Sequence, residues 1–151
     1  MAYLTDAGKH GLIVMDVTSG KGCCVLDGKP SVTAPVAPDI VLVGKVVKAP
    51  NGAPLHVHSD PLELSPDGKS QCFGPLEGPW SRISTRVLDD MTLGDEAINK
   101  SVEPFADLPP VGCTTMDSDG TLHFSDLAED AAKRRAPDSR ITTAIKVRRL
   151  H

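Results

Sequence analysis

The chain has 151 residues, 40% hydrophobic but only 3% aromatic, and a formal net charge of −4. That length suits one domain that buries roughly 70% of its unfolded surface without metal or disulfide staples, around a core of Val, Ile, Leu and Ala. No run approaches the ~18 apolar residues of a membrane span, an acidic chain without interleaved aromatics weighs against nucleic acid, and scarce aromatics weigh mildly against a small-molecule pocket.

In chain order, Met1 to His10 reads as a short N-terminal arm, followed by a single β-rich domain over 11–151. The arm has no basic segment leading into an apolar one, so no signal peptide is expected. Gly11–Val17 and Cys23–Leu26 read as strands, turned at Ser19-Gly20 and Gly22. Thr33 to Pro38 is a Pro-interrupted connector, unable to donate a full ladder. Asp39 to His58 then supplies the organising hairpin. Its run Ile40–Val47 is β-branched and apolar on both faces, which predicts a central strand. Asn51-Gly52 turns it, because both residues tolerate positive φ, and Leu55–His58 returns. Ser59–Pro79, with four Pro and three Gly, predicts a long loop with a small hairpin at Asp67-Gly68. Trp80–Leu88 alternates as a strand, and Thr92–Lys100 suits a short helix. Cys113–Met116 and Thr121–Phe124 make a second hairpin around Ser118-Asp119-Gly120. Ser125–Arg135 reads as the clearest helix, with Ser125 as N-cap, acids early and bases late. Arg140–Leu150 alternates as a half-exposed strand, with Ile141, Thr143, Ile145 and Val147 on one face. Repeated Gly turns between short strands predict a mainly β fold, an antiparallel barrel or sandwich with one or two short helices.

Charge is segregated along the chain. Acids dominate between Asp89 and Asp130 against Lys100 alone. Bases dominate from Lys133 to Arg149 against Asp138 alone. Such asymmetry predicts two separate surface regions, at least one of them a contact face.

His56-Val57-His58 is the sharpest chemical motif. Two residues apart on a strand, both imidazoles project from one face, as paired metal ligands require. With Gly52, Glu63 and Gly68 the stretch resembles the first motif of the cupin family. That resemblance implies a metal-dependent enzyme with His56, His58, Glu63 and a later His123 as ligands. The spacing from Gly52 to His56 is shorter than in cupins, and Pro110-Val111-Gly112 stands too far from His123 to complete their second motif. Without a metal, these are two strand histidines beside a loop. The four cysteines, Cys23, Cys24, Cys72 and Cys113, contain no C-x-x-C pair, which removes zinc-ribbon and thioredoxin readings. They should be reduced in a cytoplasm and able to cross-link subunits outside it. Asp117-Ser118-Asp119-Gly120 lacks the glycine spacing of a calcium loop. Gly68-Lys69-Ser70 lacks the upstream glycine of a phosphate loop.

The short arm, the Pro/Ala/Val/Thr connector, the aliphatic β-core, the Pro-Gly loops and the segregated charge together resemble capsid decoration (cement) proteins of tailed phages. The resemblance implies a virion structural protein, made in the host cytoplasm, that bridges major capsid protein or other virion subunits and forms a homo-oligomer. No cofactor or catalytic residue is implied. Pro35, Pro38, Arg148 and Arg149 are the expected contact residues. The alternatives are the cupin-like enzyme and a small binding module of unknown target.

Overall fold

The computed structural model describes residues 1–146. It is mainly β, with antiparallel sheets and two short helices. The sheets are stacked face to face, sandwich-like, and none closes into a barrel.

The first sheet is the meander β1 (Ala2–Asp6), β2 (Gly11–Met15) and β3 (Gly22–Val25). The second runs β6 (Ser59–Leu64), β7 (Ser70–Pro75), β8 (Trp80–Ser84) and β9 (Glu103–Ala106). The third runs β10 (Val111–Met116), β11 (Leu122–Asp126), β12 (Ala131–Arg135) and β13 (Ile141–Lys146). A two-stranded ribbon, β4 (Val41–Leu42) and β5 (Lys45–Val46), lies between the first two sheets in sequence. Helices α1 (Thr85–Leu88) and α2 (Asp95–Lys100) join β8 to β9.

The second sheet is the middle layer, and its alternation explains why. Phe73 and Ile83 leave one face to pack with Leu12, Val14 and Val25 of the first sheet. Cys72 and Trp80 leave the other to pack with Val111, Leu122 and Phe124 of the third. A strand buried on both faces reads as a continuous apolar run rather than as alternation, and Cys72-Phe73 is the centre of such a run. The strands β1, β6 and β10 lie side by side. Thr5 Oγ1 donates to the Asp60 carbonyl at 2.9 Å. Glu63 accepts from the Thr114 hydroxyl and, at 3.2 Å, from the Met116 N–H, tying the second sheet to the third.

Several expectations are corrected. Residues 1–10, read as an arm, supply β1, paired with β2 along its whole length. Ile40–Val47 is not a central strand. It folds on itself at Val43 (φ 55°) and Gly44 (φ 70°), and the Val47 N–H returns to the Ile40 carbonyl at 2.9 Å. Leu55–His58 lies outside the strands, although the Asn51-Gly52 turn forms, with the Gly52 N–H on the Ala49 carbonyl. Ser59–Pro79 is not a loop. It is the β6–β7 hairpin turned at Asp67-Gly68, where Asp67 accepts from Ser65 Oγ and the Lys69 N–H. The strand expected over Trp80–Leu88 ends at Ser84, where α1 begins.

Ser125–Arg135 is not a helix. Asp126 accepts the Ala128 and Glu129 N–H groups at 3.0 Å each and so forms a turn, Asp130 takes φ 52°, and β12 follows. The early acids and late bases that imitate a helix dipole pair across this hairpin instead. Lys133 Nζ meets Asp126 at 2.7 Å and Glu129 at 3.0 Å. Lys146 also reaches Glu129, at 3.2 Å. The acidic and basic stretches therefore meet rather than separate. In β13 the expected face also breaks: Lys133 pairs Thr143 while its neighbour Ala132 pairs Ile145, so Ala144 is a bulge and Ile145 moves to the opposite face.

Candidate functional site

Polar groups converge where the β1–β2 turn, the end of β3, the stretch before β6 and the β7–β8 turn meet. The β1–β2 turn brings His10, whose carbonyl accepts from the Gly28 N–H just beyond β3. The chain entering β6 brings His56 and His58. The β7–β8 turn brings Glu77, and the Leu76 N–H bonds the Val57 carbonyl at 3.2 Å to lock the two segments.

Glu77 is 2% exposed. Burying a carboxylate is costly unless donors surround it. Here His56 Nδ1 lies 3.0 Å from Oε1, and the Val57 N–H reaches both oxygens at 3.2 and 3.4 Å. The other ring nitrogen of His56 faces Asp39 at 4.0 Å. A carboxylate on either side of one imidazole fixes the orientation of the ring.

His58 behaves differently. Its Nδ1 accepts the Ala34 N–H at 3.0 Å, which places the ring proton on Nε2 in the neutral form. Its ring meets His10 edge to face, centroids 4.8 Å apart. Burial, and then the neighbouring His10, hold the His58 imidazole below the ordinary histidine range. His10 in turn stands 3.4 Å from Asp27. The cluster therefore combines an imidazole held between two acids with one biased toward neutrality, an arrangement suited to orienting a polar ligand.

The residues of the cupin-like motif do not come together. His56 serves Glu77, His58 serves Ala34, Glu63 serves Thr114 and Met116, and His123 on β11 meets Asp117 at 2.9 Å. Among the described residues no three His, Cys, Asp or Glu side chains converge as a ligand set. His10, Asp39 and Glu77 are the members of the cluster that sequence reasoning missed. Glu77 stands 21 residues from His56, and Pro-Leu-Glu-Gly gives no local hint of burial.

The cysteines are all free. Cys24 and Cys113 are exposed, Cys23 is half-buried, and Cys72 is buried between the second and third sheets. Burial pushes the Cys72 thiol up to about 11, which makes it a poor nucleophile. Burial, then Asp27 and Asp6, also raise the Cys24 thiol. Pro35 is half-buried and Pro38 exposed. Arg148 and Arg149 lie outside the described residues. A cleft of about 600 Å³ opens between the second and third sheets among Ser70, Cys72, Arg82, Phe105, Met116 and Arg135. Both arginines there are engaged: Arg82 with Glu103 at 2.9 Å, and Arg135 stacked 4.5 Å from the Phe105 ring.

No family model matches the chain, and no curated protein matches it. Among solved structures it is similar to selenomethionine-substituted virginiamycin B lyase from Staphylococcus aureus, with 13% identity and a TM-score of 0.45, over 98% of this chain and 52% of that one. It is similar also to the calcium-binding protein regucalcin from Agrobacterium tumefaciens str. C58, with 15% identity and a TM-score of 0.42, over 93% of this chain and 58% of that one. The chain thus spans little more than half the length of either.

Proposed function

We propose that the chain is a structural, assembly-type protein that works by laying its sheet faces against neighbouring subunits, as a capsid decoration protein does. One observation carries this reading. The middle sheet is covered on both faces, whereas each outer sheet keeps a face open that includes exposed aliphatic side chains, Leu4 at 43% and Ile145 at 64% exposure. Sheet faces left uncovered with apolar side chains on them are what an association surface offers. The partner it would bridge is a shell subunit. Co-sedimentation with assembled capsid shells tests the role: the protein should pellet with the shells, and Ile145→Lys should reduce the pelleted fraction. A chain that stays in the supernatant at every salt concentration refutes it.

A second reading rests on the buried Glu77 beside His56. Under it, the loop end handles a polar ligand through that pair, and the four cupin-like residues are not its ligand set. Glu77→Gln would then abolish binding or turnover of any small molecule the protein is found to take.

A further inference from the structure

We propose that the open faces of the first and third sheets are made for each other, and that two copies of this chain stack head to tail into a closed ring. The inference rests on the assembly reading and names a second copy, in place of a shell subunit, as the partner that covers the two open faces.

The cross-strand register defines both faces. In the first sheet Leu12 and Val14 point into the core, so Ile13 and its partners Leu4 and Cys24 point outward, with Met15 and Asp6 on the same side. This face is aliphatic, and its charged strand residue is a carboxylate. In the third sheet Leu122 and Phe124 point inward, so His123, Ser125, Ala132 and Arg134 point outward. The bulge at Ala144 adds Ile145 to them, opposite Ala132. This face is built of smaller residues around Arg134, and His123 on it is paired with Asp117 at 2.9 Å. A hollow beside Ala132 and Ile145 is also lined by Leu42, Leu127, Asp126 and Asp130. A face of larger aliphatic side chains and a face of small residues beside a hollow are complementary in shape.

The stacking inside one chain supplies the rest of the argument. The same step, sheet face on sheet face with the first strands side by side, is taken from the first sheet to the second and from the second to the third. A head-to-tail contact that repeats such a step gives a ring if the rotation closes and a filament if it does not. Radially stacked four-stranded sheets close around an axis at about four to eight sheets. Two chains of three stacked sheets fall inside that range and three chains fall outside it, so the ring takes two copies and both seams are the same contact.

Two measurements on the full chain test this. Light scattering after gel filtration should give about 32 kDa, twice the chain's 16.0 kDa. A monomer overturns the proposal, and so does an open series of larger species. Thiol cross-linking then tests the orientation, because Cys24 and Cys113 sit on the two open faces. One variant, Cys23→Ser with Cys113→Ser, keeps Cys24. Another, Cys23→Ser with Cys24→Ser, keeps Cys113. Cys72 stays buried in both. A short bismaleimide should join the two variants when they are mixed and neither variant to itself. Joining within a single variant would mean a symmetric face-to-itself dimer and would overturn the head-to-tail arrangement. These outcomes separate from the parent reading. A monomer that pellets with shells removes the ring and keeps the assembly role. A dimer that ignores shells keeps the ring and removes the shell as partner.

Discussion

The middle and outer sheets are built from the same antiparallel meander, yet they use it differently. In β7 neighbouring residues Cys72 and Phe73 are both buried, one toward each flanking sheet. In β2 the neighbours Leu12 and Ile13 divide, Leu12 into the core and Ile13 onto a half-exposed face. The difference teaches that stability and association are assigned to different layers. The middle sheet holds the molecule together, and the outer faces are left free to meet something else.

The sharpest way to break this comparison is to truncate one large apolar side chain in each layer. Trp80 is 1% exposed between the second and third sheets, so Trp80→Ala should cost about 3–5 kcal/mol in urea unfolding. Ile145→Ala, on the open face, should stay within about 0.5 kcal/mol for the separated monomer. Similar losses at both positions would end the distinction between holding layer and open face.

Next in size is the ion pair that closes the β11–β12 hairpin. Asp126 is 3% exposed and the Lys133 side chain 14%. Lys133→Met leaves the carboxylate buried without its cation, and about 3 kcal/mol should be lost. Arg134→Met, on the open face of the same strand, should cost far less. Equal effects would show that β12 does not divide its charges between core and surface.

A smaller effect is expected at the joint between the middle and last sheets. Gly78 takes φ +73°, and a Cβ there would stand 2.9 Å from the Leu108 carbonyl oxygen. Gly78→Ala should cost about 1–3 kcal/mol from backbone strain, before any steric contribution. Gly52, also at positive φ but in open space, is the control: Gly52→Ala carries the strain without the clash, so a larger loss there would remove the joint's importance.

Much of this was legible in the sequence, and the exceptions share causes. Turns were legible, because Asn51-Gly52, Asp67-Gly68 and Asp119-Gly120 set backbone geometry locally. Layer order was not. Ile40–Val47 is as apolar as a central strand, but hydrophobicity does not record that Val43 and Gly44 adopt left-handed backbone and fold the run onto itself. Ser125–Arg135 carries the charge order of a helix, and the same order serves a hairpin whose ends are joined by Asp126 and Lys133. The site was half legible. His56 and His58 stood out as a motif, but Glu77, His10 and Asp39 reach them only through tertiary contacts, and Glu63 and His123 are drawn off to partners that no spacing announces.

The smallest predicted effect concerns that cluster and follows from His58. Its imidazole sits below the ordinary range because burial, and secondarily His10, disfavour its charged form. In the unfolded chain the same ring titrates near about 6.5. Between the folded and unfolded values the unfolded state holds more protons, so stability rises with pH across that window. The contribution is complete above the unfolded value and is lost as pH falls through the folded one. Protonation also removes the lone pair on Nδ1 that accepts the Ala34 N–H. The melting temperature should therefore drop as pH is lowered from about 7.5 toward 5, within the range where histidine titrates. His58→Gln retains an acceptor but has no proton to gain, so its melting temperature should fall less steeply across the same interval. If His58→Gln follows the parent curve, the bias toward a neutral His58 is not what couples this end of the molecule to pH.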